Sequence, residues 1–178
     1  MRPANRWRLS PHPPTAYGGG PLLLPMGEGN TMTLRITSFR RAETLGETPF
    51  DIVVMDADER HIRRKRITLQ HGDEVFVDFE KPVKLEHGDR LVLEDGRVAE
   101  VIAAEEALME IRAVDGAHLI QLAWHIGNRH LPAQIEASRI LIRRDRIIAK
   151  MLETLGATVS DVMEPFHPEH GAYHAHEH

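Results

Sequence analysis

The last twelve residues read "HPEHGAYHAHEH", and five of them are histidine: His167, His170, His174, His176 and His178. A second group lies upstream in "WHIGNRHLPAQI", Trp124 to Ile135, where His125 and His130 stand five positions apart. Imidazole is the commonest nitrogen ligand for divalent metals, including Zn, Cu, Fe and Ni, so both stretches are candidates for holding an ion. In an extended chain, residues two apart point the same way and lie roughly 6.5 to 7 Å apart. A flexible backbone can therefore fold two tail rings onto one ion, and short His-rich tracts read as metal-binding. Glu169, Tyr173, Ala175 and Glu177 interrupt the tract, so it reads as native rather than as a contiguous expression tag. An all-imidazole site on a flexible chain gains affinity from several ligands but loses ordering entropy on binding. Ready exchange follows, which suits delivery or storage rather than catalysis.

The upstream pair is less decisive. His118, His125 and Arg129 lie roughly on one side of an expected helix, and His130 sits at or beyond its end. On an unbroken helix, five positions correspond to about 140° of rotation, so His125 and His130 would not share one metal. Spacing alone favours a packed His125 and a solvated His130. A site using only His130 from each chain needs a second chain to complete it, and a two-fold dimer supplies that imidazole by symmetry.

These residues must be positioned by a chain of 178 residues, enough for one ordinary domain or two small ones. Its formal net charge of −5 does not favour nucleic acid, whose binders usually carry a basic excess. The absence of cysteine excludes a disulfide framework, thiolate zinc, iron–sulfur clusters and a thiol nucleophile. It fits a cytoplasmic location. No apolar run approaches the roughly 18 residues a membrane span requires, so no membrane partner is expected.

Residues 1–31 are rich in Pro and Gly without periodicity, and are expected to be a disordered extension. Residues 32–104 read as a β-rich domain. "TLRITSF" places Leu34 and Ile36 on one face, and "EVFVDFE" turns Val75, Val77 and Phe79 inward. Asp95-Gly96 between two apolar runs signals a hairpin. "HGD" occurs at 71–73 and 87–89, and reads as two glycine turns rather than a paired His/Asp site. The cations of "ERHIRRKRI", Arg60 to Arg66, read as a charged hairpin tip and edge strand rather than an acidic-partner patch. A small antiparallel sandwich or barrel follows.

Residues 105–163 change period. "ALMEIRAV" is strand-like, with Leu108 and Glu110 facing away from Met109 and Ile111. Leu119, Leu122, Ala123 and Ile126 give helical spacing behind an Asp115 cap, with Gly127 or Asn128 at the end. "AQIEA" and "RILIRR" are short strands. "DRIIAKMLETLG" is a second helix, capped by Asp145 and stopped by Gly156, whose apolar face is read as Ile147, Ile148, Met151, Leu152 and Leu155. "ATVSDVMEPF" closes the set. The order is β-α-β-β-α-β, the ferredoxin-like pattern. The fold class is thus α+β: a small antiparallel β domain, a ferredoxin-like domain and a His-rich flexible tail over 164–178. Two helices would cover one sheet face and leave the other bare for a partner chain.

At "AWHIGNRHLPAQI" the chain resembles the urease accessory protein UreE family of nickel metallochaperones. The resemblance covers residues 33 to 178, and the Gly-Asn-Arg-His segment is its most specific part. It implies that His130 is the metal-binding histidine at a dimer interface, with one Ni²⁺ shared by two copies. It also implies that His125 is a neighbouring or structural histidine. The tail residues His167, His170, His174, His176 and His178 match accessory ligands. Some members carry histidines just before the second helix, where this chain has "RRDR", Arg143 to Arg146, and the N-terminal extension is a second departure. The implied function is delivery of Ni²⁺ for urease active-site assembly, with a maturation GTPase, other accessory proteins and the urease apoprotein complex as partners. Zn²⁺ and Cu²⁺ are expected to bind as well, since imidazole sites follow the general affinity order.

Two other functional classes compete with this reading. An enzyme needs convergent, fixed groups, and the chain has no HExxH, P-loop or Gly-rich nucleotide signature, so the reading is not an enzyme. The alternative is a His-rich storage, buffering or pH-responsive interaction module without specific delivery.

Overall fold

The computed structural model describes residues 34–42 and 48–169. The expectations for residues 1–31 and for the tail from His170 onward lie outside the described residues.

Alternating apolar residues build the first sheet. Its strands are β1 (Leu34–Arg40), β2 (Asp51–Met55), β3 (His61–Thr68), β4 (Glu74–Lys84), β5 (Arg90–Leu93) and β6 (Val98–Ala103). Ile36, Val75, Val77, Phe79, Leu91, Leu93 and Val101 point into one buried cluster. This is the inward face that period-two patterning predicts. β5 and β6 form the hairpin expected at Asp95-Gly96, closed by the Gly96 N–H on the Leu93 carbonyl at 2.9 Å.

The strand order is β2-β6-β5-β1-β4-β3. It corrects the expectation of a purely antiparallel domain: β1 runs parallel to β4 and β2 parallel to β6. Both partners are separated by intervening strands, and those long connections let the chain return in the same direction. Hydrophobic alternation reports which face is buried, not which way a neighbour runs.

β3 lies at the edge of its sheet, as its charge suggested. Its exposed cations are paired locally, Arg64 with Asp78, Lys65 with Glu59 and Arg66 with Glu74. Arg60, which the sequence reading grouped with those surface cations, is instead completely buried. Both "HGD" segments are turns, with Gly72 and Gly88 at φ of 99° and 86° where a side chain would be strained. Their histidines nevertheless hold other segments. The His71 ring meets the buried Asp51 carboxylate at 2.7 Å, and His87 Nδ1 accepts from the Ala103 N–H at 3.2 Å. Burial pushes the Asp51 carboxyl up, but hydrogen bonds from the Ile52 and His71 amides and the His71 ring bring it below the ordinary range.

The second sheet comprises β7 (Glu105–Arg112), β8 (Ala133–Ile135), β9 (Ile140–Arg143) and β10 (Thr158–Pro165), in the order β10-β7-β9-β8. All its pairs are antiparallel. Helices α1 (Gly116–Gly127) and α2 (Arg146–Thr154) cover one face. Leu119, Leu122 and Ile126 of α1 and Leu152 of α2 pack there with Met109, Ile111, Ile140 and Ile142. Both caps are where the sequence puts them. The Asp115 carboxylate accepts from the His118 amide at 2.8 Å, and Asp145 accepts from the Ile147 and Ile148 amides at 2.8 and 3.0 Å. One assignment on α2 is corrected: Ile147, placed on the apolar face, is 81% exposed because it lies in the first turn, outside the packed stripe.

The other face of this sheet is not bare. Leu108 and Leu141 pack there against Phe166 and Ala57, all buried. Beside them Arg139 gathers Glu110, Glu136 and Glu164 at 2.7 to 2.9 Å. The chain thus folds Phe166, the residue just past β10, back over a face left open by the helices.

Candidate metal centre

Helix α1 ends by tightening. The Asn128 amide bonds to the Trp124 carbonyl at 2.9 Å, Arg129 to Ile126 at 3.0 Å and His130 to Gly127 at 2.9 Å. His130 then adopts φ of 56°, the left-handed conformation, and is the sole non-glycine residue to do so among the described residues. The helix ends where the sequence suggested, at Gly127 with Asn128 as its cap, and the reversal falls two residues further on, at the histidine. A left-handed residue at this position turns the chain off the helix axis and satisfies the last carbonyls. It places His130 in solvent, exposed, just before Leu131-Pro132 and β8.

His125 is one turn back and half-buried. Its ring meets the Trp124 indole edge-on, with centroids 5.0 Å apart and an interplanar angle of 78°. Its carbonyl accepts from Arg129 Nη1 at 2.7 Å. His118 is committed elsewhere: Nδ1 accepts from the Val114 amide at 3.2 Å and Nε2 bonds the Leu155 carbonyl at 3.0 Å. With both nitrogens occupied, that ring ties α1 to the end of α2 and has no lone pair to offer a metal.

His167 belongs to a segment that runs back alongside β8. Its amide donates to Gln134 Oε1 at 2.8 Å, and the Glu169 amide donates to the Ala133 carbonyl at 2.8 Å. Burial lowers the His167 imidazole below its ordinary range, and the nearby Arg60 charge adds to this. The neutral, ligating form is therefore favoured to lower pH than for a free histidine. Glu86 stands 3.9 Å from its Nδ1.

Of the seven sequence-predicted ligands, His125, His130 and His167 are described, while His170, His174, His176 and His178 lie outside the described residues. Among the described residues, no three His, Asp or Glu side chains converge in a way that could hold a metal. His130 is thus a single exposed imidazole, and the described residues place no second ligand beside it. The "RRDR" stretch supplies none: Arg143 binds Asp58 and Glu106, Arg144 binds the Leu108 carbonyl, and Asp145 caps α2.

What the sequence reading missed is the framework that holds residues 166–169 in place. Gln134, Ala133, Arg60 and Lys84 hold Phe166 to Glu169, and none carries a motif that marks it. The faint signal was Gln134 inside an otherwise apolar strand. No helix among the described residues is long and apolar enough to cross a membrane.

Comparison with known proteins places this geometry. Residues 32–104 match the model of the N-terminal domain of UreE urease accessory protein, and residues 106–178 match that of its C-terminal domain. The chain is 56% identical over 143 residues to a urease accessory protein UreE of Agrobacterium fabrum, covering 80% of this chain and 89% of that protein. It is 56% identical over 138 residues to urease accessory protein UreE 1 of Brucella suis, covering 78% and 85%. With a Rhizobium rhizogenes urease accessory protein UreE it shares 54% over 142 residues, covering 80% and 85%. Both halves of the fold and the loop that presents His130 fall within these matches, and the chain belongs to the UreE urease accessory protein family.

Proposed function

We propose that this chain is a nickel metallochaperone that holds Ni²⁺ at His130 and passes it on for assembly of the urease active site. The observation that carries the reading is the presentation of His130: one accessible imidazole, turned out at the end of α1, beside the root of a five-histidine tail. A lone imidazole binds weakly, and a second copy of the chain completes a shared site by symmetry. Ile120 and Trp124, 72% and 64% exposed, lie one turn apart on the outer face of α1 and form an apolar stripe suited to that second copy.

In this reading His130 is the principal ligand from each subunit. His167, His170, His174, His176 and His178 capture ions and feed the pair. His125, packed against Trp124, orients the helix end. Zn²⁺ and Cu²⁺ bind the same donors, and selectivity comes from supply and partners. Residues 32–104 act as the partner-binding domain. Residues 105–163, whose sheet order supports a ferredoxin-like assignment, act as the metal-binding domain, and 164–178 as the tail. The partners are the urease-maturation GTPase, other accessory proteins and the urease apoprotein complex, in the cytoplasm, and the protein itself turns over no substrate.

Nickel titration with native mass measurement tests this on wild type, His130→Ala and a truncation after Glu169. Wild type is expected to bind as a dimer with several ions. The truncation keeps about one ion per dimer, as two-fold sharing requires, and His130→Ala loses that ion while the tail ions remain. If the truncation loses all its nickel, the protein is a store and the delivery reading fails.

A further inference from the structure

The last turn of α1 is irregular, and its hydrogen bonds show where the irregularity starts. The Asn128 amide makes the regular bond, to the Trp124 carbonyl four residues back at 2.9 Å, and Asn128 keeps right-handed backbone. A regular helix would next join the Arg129 amide to the His125 carbonyl. The Arg129 amide instead bonds Ile126, three residues back at 3.0 Å, and the His130 amide bonds Gly127 in the same way at 2.9 Å. The change of spacing falls between Asn128 and Arg129, and it leaves the His125 carbonyl without its helical donor.

Arg129 supplies the replacement from its side chain. Its Nη1 donates to the His125 carbonyl at 2.7 Å. One residue thus withdraws its backbone donor from that carbonyl and returns a charged one. A hydrogen bond from a charged group is roughly twice as strong as a neutral one, and a cation at a helix C-terminus meets the negative end of the helix dipole. No carboxylate among the described residues pairs with Arg129 to draw its guanidinium elsewhere. The tightened turn leads at once into the left-handed backbone of His130, at φ of 56°. That conformation costs free energy for an L-residue, and His130 is exposed, so packing of its own side chain does little to offset the cost.

We propose that Arg129 is a positioning residue for the metal ligand. By occupying the His125 carbonyl, its guanidinium holds α1 in the tightened ending that turns His130 outward. The inference rests on the reading of His130 as a nickel ligand. Without the guanidinium, the Arg129 amide returns to the His125 carbonyl and the helix runs on. His130 then leaves the left-handed region and carries its imidazole away from the position offered to a second copy. Loss of one such hydrogen bond moves a two-state equilibrium about fivefold. Where the competent turn becomes the minor state, apparent nickel affinity falls by a similar factor.

The test uses the full-length protein and the variants Arg129→Met, Arg129→Lys and His130→Ala. Arg129 is exposed, so its replacement disturbs no core. Methionine keeps a long side chain and loses the donor. The contact runs through Nη1 alone, so lysine keeps both a donor and the charge. The Cα and Cβ chemical shifts of His130 without metal read its backbone directly. They are expected to be left-handed in wild type and Arg129→Lys, and to move toward right-handed values in Arg129→Met. Nickel titration followed by the His130 resonances reads this position alone. Arg129→Met is expected to need about fivefold more nickel than wild type, and Arg129→Lys to recover most of the loss. The β7 and β9 amides are expected to keep their wild-type exchange in every variant, which separates a local change from unfolding. Left-handed shifts that persist in Arg129→Met overturn the proposal. So do altered shifts with an unaltered titration. If His130→Ala binds as much nickel as wild type, the ligand reading fails and the proposal with it, whatever the His130 shifts show for Arg129→Met.

Discussion

The Glu169 amide donates to the Ala133 carbonyl at 2.8 Å, three residues past His130 in the chain. One backbone hydrogen bond therefore ties the segment that follows β10 to β8, the strand that comes after His130. Phe166 is fully buried, so the core extends past β10 by one residue. Truncation after Glu169 is expected to leave stability within about 0.5 kcal/mol of wild type, as for changes outside packed features. Phe166→Ala is expected to cost about 3 to 5 kcal/mol, the usual range for a buried aromatic. Urea unfolding of both variants checks this. A truncation as damaging as the Phe166 change would move the domain boundary outward.

The left-handed backbone at His130 makes a second prediction, because strain and function then pull in opposite directions. The residue is exposed, so its replacement removes little packing. Glycine adopts positive φ without steric cost, while a left-handed L-residue costs roughly 1 to 2 kcal/mol, partly offset by the entropy of a glycine chain. His130→Gly is therefore expected to raise stability by about 0.5 to 1 kcal/mol and, on the proposed function, to abolish nickel binding at that position. His130→Ala keeps the strain and loses the metal without gaining stability. Thermal unfolding without metal separates the two. If Gly is no more stable than Ala at this position, the left-handed backbone carries no strain.

If the chain pairs as the proposed function requires, the exposed Ile120 and Trp124 are where the second copy is expected to dock. Replacing both with lysine adds charge to an outer helix face without touching the core cluster of Leu119, Leu122 and Ile126. The double variant is expected to stay folded by circular dichroism, to sediment at single-chain mass, and to bind nickel at His130 at least tenfold more weakly, since one imidazole replaces two. A double variant that remains dimeric places the interface elsewhere.

Much of this was legible in the sequence, and the failures have physical causes. Local signals worked. Asp115 and Asp145 cap their helices, and Val75, Val77 and Phe79 face inward. Asp95-Gly96 turns a hairpin, and both "HGD" stretches are turns. These depend on neighbours within a few positions. Strand direction in the first sheet did not, because β1 and β4 share the same alternation whichever way they run. Arg60 sits among surface cations by composition, and only tertiary contact with Phe166 buries it. The second sheet's far face looked bare because its cover, Phe166 and Ala57, comes from residues remote in sequence. The candidate ligands were named by residue type, but the placing of His167 depends on the contacts of its segment with Gln134 and Ala133, which no spacing encodes.

The last prediction concerns that far face. Arg139 collects three carboxylates, Glu110 and Glu164 at 2.9 and 2.8 Å and Glu136 at 2.7 Å. Hydrogen bonds from Arg112 and then Arg139 hold the Glu110 carboxyl below its ordinary range, and Arg139 does the same for Glu136. Hydrogen bonds to Glu164, then Glu136 and Glu110, push the Arg139 guanidinium up against the opposing effect of burial. Carboxyls lowered by folding contribute stability that is present above the unfolded value, about 4.3 for glutamate, and is lost as pH falls through the folded one. Arg139→Met leaves three carboxylates facing one another. The expected loss is about 2 to 3 kcal/mol near neutral pH, where all are ionised, discounted from the full buried-pair figure because the side chain is partly exposed. As pH drops below about 4, protonation relieves their repulsion and removes what wild type gained, so the two proteins converge. Urea unfolding at about pH 7 and about pH 3.5 measures the difference. A deficit that persists undiminished at the lower pH means that Arg139 stabilises this face by packing and not by charge.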